Sequence, residues 1–239
     1  MNLTPFHTTV FRLGEDLPAF IRRFVPVLQN GDILVVTSKL LCLWKGCAAP
    51  YRSARQKQQL IEQHSQAALK TKLAWLTIKN GMLMTNAGVD ESNANGHLLW
   101  LPDDLYACAD ELRRKLKKAY GLSKLGILIT DSMILPLRAG VIGAAVAYSG
   151  FEGVRDERGK KDIFGKPLQT TLVNLADGLS AAAATVMGER AEQRPLCRIE
   201  QAPVKFVNKT NPSEIQYPPE HDLYAPLLRA VKLTTRRKK

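Results

Sequence analysis

The chain predicts an α+β protein built round a mixed sheet, and three observations lead there. Two apolar runs rich in β-branched residues, Ile33-Leu34-Val35-Val36-Thr37 and Gly126-Ile127-Leu128-Ile129-Thr130, read as short buried strands. Between them Lys79-Asn80-Gly81 carries the Asn-Gly pair that favours a two-residue hairpin turn. Helical and extended stretches then alternate irregularly, without the even rhythm that produces a doubly wound parallel sheet. With 239 residues the chain can bury a substantial core. It contains no internal repeat and no linker long enough to divide it, so a single domain is expected over residues 1–239. Two intimately associated lobes are expected within it, the second inside about residues 77–195.

Each element has its own signal. Residues 17–28 place Leu17, Phe20, Ile21, Phe24 and Leu28 at three- and four-residue spacings, which predicts an amphipathic helix that Pro26 kinks or ends. Asn30-Gly31-Asp32 turns the chain into the first strand. Residues 53–73 are polar and helical in propensity, with Leu60, Ile61 and Ala68 on the inner side. Residues 73–78 and 82–85 form the arms of the Asn-Gly hairpin. Pro102-Asp103-Asp104 opens a helix that runs to about Tyr120, where Gly121 stops it. Its inner side carries Leu105, Cys108, Ala109, Leu112, Leu116 and Ala119, so Arg113, Arg114, Lys117 and Lys118 read as a solvated face. Asp131 is expected at the C-terminal end of the strand 126–130. Residues 177–187 make a helix of small side chains suited to close packing on a sheet. Val204-Lys205-Phe206-Val207 is strand-like, and a last helix is expected near 223–233.

Composition narrows the function. The chain is 45% hydrophobic and 23% charged, an ordinary globular balance. The first residues lack a basic and then apolar leader, and the longest apolar stretch, residues 139–150, is about half the ~20 residues of a membrane span. A cytoplasmic protein without membrane contact is expected. Cys42, Cys47, Cys108 and Cys197 form no C-x-x-C pair and read as free, buried thiols. His7, His64, His97 and His221 are scattered, with His64 read as exposed on a polar helix. The net charge of +12 sits largely in the basic helix and in the tail Arg236-Arg237-Lys238-Lys239. Aromatic residues are not interleaved with these clusters, so nucleic-acid binding is not the expected role.

Three segments break the core-building pattern. Thr85-Asn86-Ala87-Gly88-Val89-Asp90-Glu91-Ser92-Asn93-Ala94-Asn95-Gly96 is dense in oxygen ligands and follows a strand. Magnesium and manganese take such oxygens and bridge them to phosphates, so Asp90 with Asn93 could serve metal and phosphate together. An Asx-rich surface turn would have the same composition. Ile129-Thr130-Asp131-Ser132 puts two oxygen ligands at a strand end, and Arg138, before a glycine-rich turn, could receive an anion; a capping Asp and a surface Arg are the plainer reading. The mixed-charge stretch 155–167 and Met187-Gly188-Glu189 complete the set. No Walker pattern and no zinc spacing occur.

Taken in order, Thr85-Asn86-Ala87-Gly88-Val89-Asp90-Glu91-Ser92-Asn93, Ile129-Thr130-Asp131-Ser132, Lys161-Asp162-Ile163-Phe164-Gly165, Ala176-Asp177 and Met187-Gly188-Glu189 resemble the γ-glutamyl ligases that add L-glutamate to the deazaflavin coenzyme F420. The resemblance covers most of the chain, from Gly31 to Glu189. It implies a homodimeric α+β ligase that uses GTP or ATP and two divalent cations, magnesium or manganese. The product is an amide between L-glutamate and a small carboxylate acceptor, a deazaflavin precursor or a folate-like compound. Carried over by motif, Asp90, Asp131, Ser132 and Glu189 become the metal ligands. Ser38, Lys39, Asn93 and Gly188 become nucleotide contacts, and Asp90, Asp131 and Arg138 the catalytic set. The chain departs from the family at Cys42-Leu43-Trp44-Lys45-Gly46, where Leu43 replaces a lysine, and at Met133-Ile134-Leu135-Pro136-Leu137-Arg138, where an arginine and a glycine are lost. His7-Thr8-Thr9-Val10 stands where a Gly-Leu-Pro nucleotide stretch is expected. Lys45, on the same side of a continuing strand as Leu43, is expected to take over the phosphate contact, and Leu135 to line a more apolar acceptor pocket. The alternatives are a nucleotide- or metal-binding regulatory protein that has lost catalysis and, less favoured, a nucleic-acid binder.

Overall fold

The computed structural model describes residues 1–218, 220–230 and 234–235. The elements in chain order are β1 (Asn2–Phe6), α1 (Leu17–Phe24), β2 (Asp32–Thr37), α2 (Ser38–Trp44), β3 (Ala48–Pro50), α3 (Ala54–His64), β4 (Ala67–Lys70), β5 (Trp75–Lys79) and β6 (Met82–Thr85). After them come β7 (His97–Leu99), α4 (Leu105–Tyr120), β8 (Leu125–Ile134), β9 (Val141–Ser149), β10 (Val154–Asp156), β11 (Leu172–Asn174), α5 (Leu175–Met187), β12 (Leu196–Glu200), α6 (Ala225–Ala230) and β13 (Thr234–Thr235). The main sheet has the order β1-β12-β2-β8-β9, and only β2 and β8 run parallel. A second sheet, β13-β4-β5-β6, and two small ribbons, β3-β7 and β10-β11, complete a mixed α+β architecture.

Both faces of the main sheet are covered, so its central strands are apolar throughout instead of alternating with polar residues. Leu34, Val36, Ile127 and Ile129 point into a core shared with α1, α2 and α4. Ile33, Val35 and Leu128 point the other way, into a core shared with α5. Small residues let α5 approach closely: a Cβ on Gly143 of β9 would lie 2.5 Å from the Ala184 Cβ. The Asn80-Gly81 turn has both residues at positive φ, 51° and 75°, as a two-residue hairpin requires. Asp104 caps α4 by accepting from the Ala107 N–H at 2.9 Å, and Gly121 ends it in the left-handed region.

The structure corrects several sequence expectations. The polar stretch 53–73 is helical only to His64, and then enters β4, whose partner β5 supplies the ladder that propensity could not anticipate. Strand 126–130 continues past Asp131 to Ile134 as one arm of the β8–β9 hairpin. Residues 204–207 form no strand and make a single bridge, Phe151 to Phe206. His64 is half-buried, stacked on Trp100 with ring centroids 5.6 Å apart. All four cysteines are free, but Cys47 and Cys108 are only half-buried. The final helix is α6, with residues 231–233 and the basic tail 236–239 outside the described residues.

The basic helix holds the largest surprise. Arg113 is buried, not solvated. Its guanidinium donates to the carbonyls of Leu125 (2.8 Å), Val207 (3.1 Å) and Asn208 (3.1 Å), and so fastens the segment after β12 to the sheet. Arg114 one residue later is exposed and pairs with Asp110, at 3.1 Å. Replacing Arg113 with Met strands three carbonyls, and hydrogen bonds to charged groups contribute ~1.5–3 kcal/mol each. Arg113→Met should therefore lower unfolding stability by about 3 kcal/mol, against ~0.5 kcal/mol or less for the exposed Arg114→Met. Denaturant titration of the two variants checks this contrast; equal losses would refute it.

Candidate active site

Strands β2 and β8 pair in parallel with Thr37 opposite Thr130, so the residues that follow each strand are neighbours. In parallel α/β sheets ligand sites gather at the C-terminal strand ends, and this one parallel pair has the same local geometry. After Thr37 the chain turns into α2, and the Thr37 hydroxyl caps it by accepting from the Lys39 N–H at 3.4 Å. Ser38 and Lys39 thus open a helix beside Asp131. A register shift between Ile129 and Thr130 re-aims the end of β8. Beyond it, side chains alternate between the two faces of the sheet. Asp131 meets Ser38 and Lys39 on the α2 face. Thr130 and Ser132 look toward α5, where Thr130 shares a 2.6 Å hydrogen bond with Ser180 and the Ser132 hydroxyl donates to Glu189 at 2.7 Å.

Asp90 arrives from a different direction. Asn86, Ala87 and Gly88 are three consecutive residues in the left-handed region, with φ of 54°, 52° and 70°. An alanine there costs ~1–2 kcal/mol. Its N–H donates to the Thr77 hydroxyl at 2.7 Å, and the Asn86 side chain accepts from the Trp75 N–H at 3.0 Å, which hold the turn. Gly88 has no room for a side chain, because a Cβ would sit 2.7 Å from Leu101 Cδ1. Asp90 is then fixed by a two-way backbone bridge to Leu99. Its carboxylate accepts from the N–H groups of Glu91 (2.7 Å) and Ser92 (3.0 Å), from the Ser92 hydroxyl (2.6 Å) and from the Lys39 ammonium. Ser92 was not singled out by sequence, although its place two residues after Asp90 is the spacing of an Asx turn.

Lys39 therefore lies between two carboxylates. Burial pushes Asp90 up, but the Lys39 charge and hydrogen bond, with the bonds from Ser92, outweigh it and hold the carboxyl at about 2. For Asp131 burial wins, and its carboxyl is raised despite Lys39 and Ser38. Burial works against the Lys39 charge, yet Asp90 and then Asp131 leave that ammonium held above its ordinary value. The Cys42 thiol, buried against the same group, is pushed well up and stays protonated, which removes it as a thiolate ligand.

Of the predicted ligands, Asp90 and Asp131 are brought together round Lys39, and Ser132 and Glu189 form a separate pair on the opposite face of β8. Among the described residues no three acidic, His or Cys side chains converge as a ready metal cluster. Asn93 joins the second pair by donating from its amide to the Arg190 carbonyl at 3.1 Å. Gly188, at φ 85°, ends α5, and with Glu189 it lines a cleft of about 340 Å³ against Gly143 and Ala184. Thr8, in the atypical N-terminal stretch, donates its N–H to the Gln193 carbonyl of the same loop at 2.9 Å. Lys45 is not on a strand: it ends α2, pairs with Glu111 at 2.5 Å and lies 3.9 Å over the Trp44 ring. Leu43 packs against the core. Arg138 and Leu135 stand exposed on the β8–β9 turn. Three residues of strand separate Asp131 from Ile134, so this turn lies roughly 10 Å or more beyond the carboxylate.

The depressed Asp90 carboxyl gives the site an acid signature. A carboxyl held at about 2 when folded and near 3.8 when free contributes stability that is present above the free value and is lost as pH falls toward about 2. In thermal unfolding followed from neutral pH down to about 2, Lys39→Met should show a shallower acid limb than the wild-type chain. Superimposable limbs would mean that Lys39 does not hold Asp90.

Comparison with known proteins identifies the family. The family described as F420-0:gamma-glutamyl ligase matches residues 6–201. A coenzyme F420:L-glutamate ligase of Methanopyrus kandleri is 44% identical over 203 residues, covering 77% of this chain and 80% of the relative. That of Methanocaldococcus jannaschii is 30% identical over 235 residues, 90% and 93% of the two chains. That of Methanococcus maripaludis is 42% identical over 146 residues, 61% of this chain and 58% of the relative, so the aligned part spans less than two thirds of that protein. With most of its length matched, the chain belongs to the F420-0:gamma-glutamyl ligase family.

Proposed function

We propose that the protein is a nucleotide- and divalent-metal-dependent ligase that joins L-glutamate through an amide bond to a carboxylate-bearing acceptor, with GTP or ATP as co-substrate. The observation that carries this reading is the meeting of Asp90, Lys39 and Asp131 at the C-terminal ends of β2 and β8. The donor set fits a hard cation. It consists of the carboxylates of Asp90, Asp131 and Glu189 and the hydroxyls of Ser38, Ser92 and Ser132, with the one nearby thiol protonated. Asp90 and Asp131 would hold one magnesium or manganese ion, and Ser132 with Glu189 a second. Bound there, the cations would neutralise charge on a phosphoryl group passing to the acceptor carboxylate.

The residues of the chain do the rest. Lys39, kept protonated by its two carboxylates, supplies a positive charge for phosphate oxygens. The loop of Gly188 and Glu189, tied to Asn93, offers backbone and amide donors on the opposite side of β8. The relatives are named for ligation of glutamate to coenzyme F420, which makes a deazaflavin the first acceptor to try and a folate-like compound the second. Homodimerisation belongs to the same reading: Ile134, Leu137 and Val141 at the β8–β9 hairpin end and Ile163 and Phe164 between β10 and β11 are exposed apolar side chains, suited to a second copy of the chain. Across the described residues no helix is long and apolar enough to cross a membrane.

Asp131→Asn tests the reading directly. It should lower nucleotide-dependent glutamate ligation by roughly 100-fold or more, as loss of a group that acts on transition-state charge does, while leaving the unfolding midpoint near that of the wild-type chain. Ligation that persists at the wild-type rate and metal dependence would count against the assignment.

A further inference from the structure

The chain beyond the family match builds a second compartment. From Ala202 it runs as a strap along the α5 side of the sheet. Glu152 donates its N–H to the Lys205 carbonyl at 2.9 Å, and Val207 donates to Gly150 at 3.0 Å. Arg113 holds the carbonyls of Val207 and Asn208, and the Gly150 N–H reaches the Thr210 hydroxyl at 2.9 Å. Gly150 must be glycine, since a Cβ would stand 2.3 Å from Arg113 Nε. The strap is then latched by Glu214, whose carboxylate accepts from the buried Tyr148 hydroxyl (2.7 Å) and from the Gly153 N–H (2.6 Å). Gln216 finally crosses to the other sheet and donates to the Asn80 carbonyl at 3.1 Å.

Against the strap lies a cavity of about 270 Å³, open on one side. Ile215, Gln216 and Tyr217 of the strap form one wall, facing Met82, Tyr106 and Met133. Its place relative to Asp131 follows from the β8–β9 register. Asp131 is paired with Ala144, which lines the cavity, and Met133 lies two residues further along the same face of β8. The cleft of Gly188 and Glu189 opens instead beside Gly143, which pairs with Ser132. The cavity therefore wraps the edge strand β9, with Ala144 on the Asp131 face and Ala145 and Asp177 on the α5 side, whereas the cleft lies between β9 and α5; both lie beside the end of β8. The lining mixes apolar side chains with placed polar ones, Asp222 among them, as small-molecule sites do. Here the polar groups include the carboxylate of Asp177, anchored by the Ala145 N–H at 2.8 Å and the Asn174 amide, and the amide of Gln216.

We infer that this cavity seats the ring of the acceptor, a flat heteroaromatic system carrying ring N–H donors, and that Gln216 and Tyr217 of the strap are specificity-determining residues. The aromatic and thioether side chains of Tyr106, Tyr217, Met82 and Met133 cover the faces of the ring. Asp177 accepts from its N–H, and the acceptor's carboxylate points along β8 toward Asp131 and Lys39. The inference rests on the ligase reading and adds to it where the acceptor lies and which residues select it.

The test uses the full chain and two probes, coenzyme F420-0 and a pteroate, with binding followed by ring fluorescence and GTP binding measured in parallel with magnesium. Met82→Trp fills the cavity and Tyr217→Ala opens it, and thermal melts confirm that both fold. Each variant should weaken binding of the preferred ring compound by about tenfold or more, ~1.4 kcal/mol, with GTP affinity unchanged. Tyr217→Phe should restore it. Folded variants that bind the ring compound as the wild-type chain does would overturn the inference and leave the ligase reading standing. A wild-type chain that ligates glutamate to another acceptor but binds neither ring would overturn it as well. If the wild-type chain binds no nucleotide and ligates nothing, both readings fall together.

Discussion

The parallel pairing of β2 with β8 is the constraint on which the rest depends. It is the one parallel contact in the main sheet, and both strands are buried on both faces. A one-residue slip would exchange Leu34 and Val36 for Ile33 and Val35 against α2 and α4, and would move Thr37 away from Thr130 at the same time. Two differently shaped cores therefore fix the register, and the register fixes Lys39 beside Asp131. The apolar residues of the two strands do chemical work at a distance, since no polar contact alone could bring together an ammonium group and two carboxylates from three separate segments.

That ammonium in turn makes the acidic residues tolerable. Asp131 is raised by burial and Asp90 is depressed by its partners, so the two carboxylates differ in affinity for a proton although they share a counter-ion. The difference comes from local donors. Asp90 accepts two backbone N–H groups and a serine hydroxyl besides Lys39, whereas Asp131 has Ser38, the Ser132 N–H at 3.0 Å and a drier setting. A left-handed turn at Asn86, Ala87 and Gly88 is the conformational cost of delivering Asp90 to this point, and it is offset by the hydrogen bonds that the Thr77 hydroxyl accepts from the Ala87 N–H and the Asn86 side chain accepts from the Trp75 N–H.

How much of this was legible follows from which interactions are local. The Asn80-Gly81 hairpin, the Asp104 cap, the Gly121 stop and the two central strands all rest on signals within a few residues, and each is present. From sequence Arg113 reads as solvated, because its neighbours on α4 are basic. What buries it is a segment some 95 residues later, which periodicity within one helix cannot reveal. Strand β4 was hidden for the same reason, since its ladder depends on β5. In the site, the motif residues Asp90, Asp131, Ser132 and Glu189 were visible as types. Their division between two faces of β8 was not, because the register shift after Ile129 and the continuation of the strand to Ile134 belong to the pairing with β9.

The departures at Leu43 and Lys45 take a different meaning once α2 is seen as a helix. On a strand, residues two apart would share a side, and Lys45 could have replaced a lysine at position 43. On a helix they lie about 200° apart. Leu43 turns into the core, while Lys45 spends its charge on Glu111 and on the face of Trp44, where Lys115 also approaches to 5.1 Å from the ring centroid. The shared side that the strand reading gave to positions 43 and 45 is therefore absent. The cation that the described side chains bring to Asp90 and Asp131 is Lys39, one turn earlier on the same helix, where the α2 N-terminus also adds favourable potential for an anion. The change at Leu43 therefore reads as packing at the far end of α2, and it leaves the charge at the near end intact.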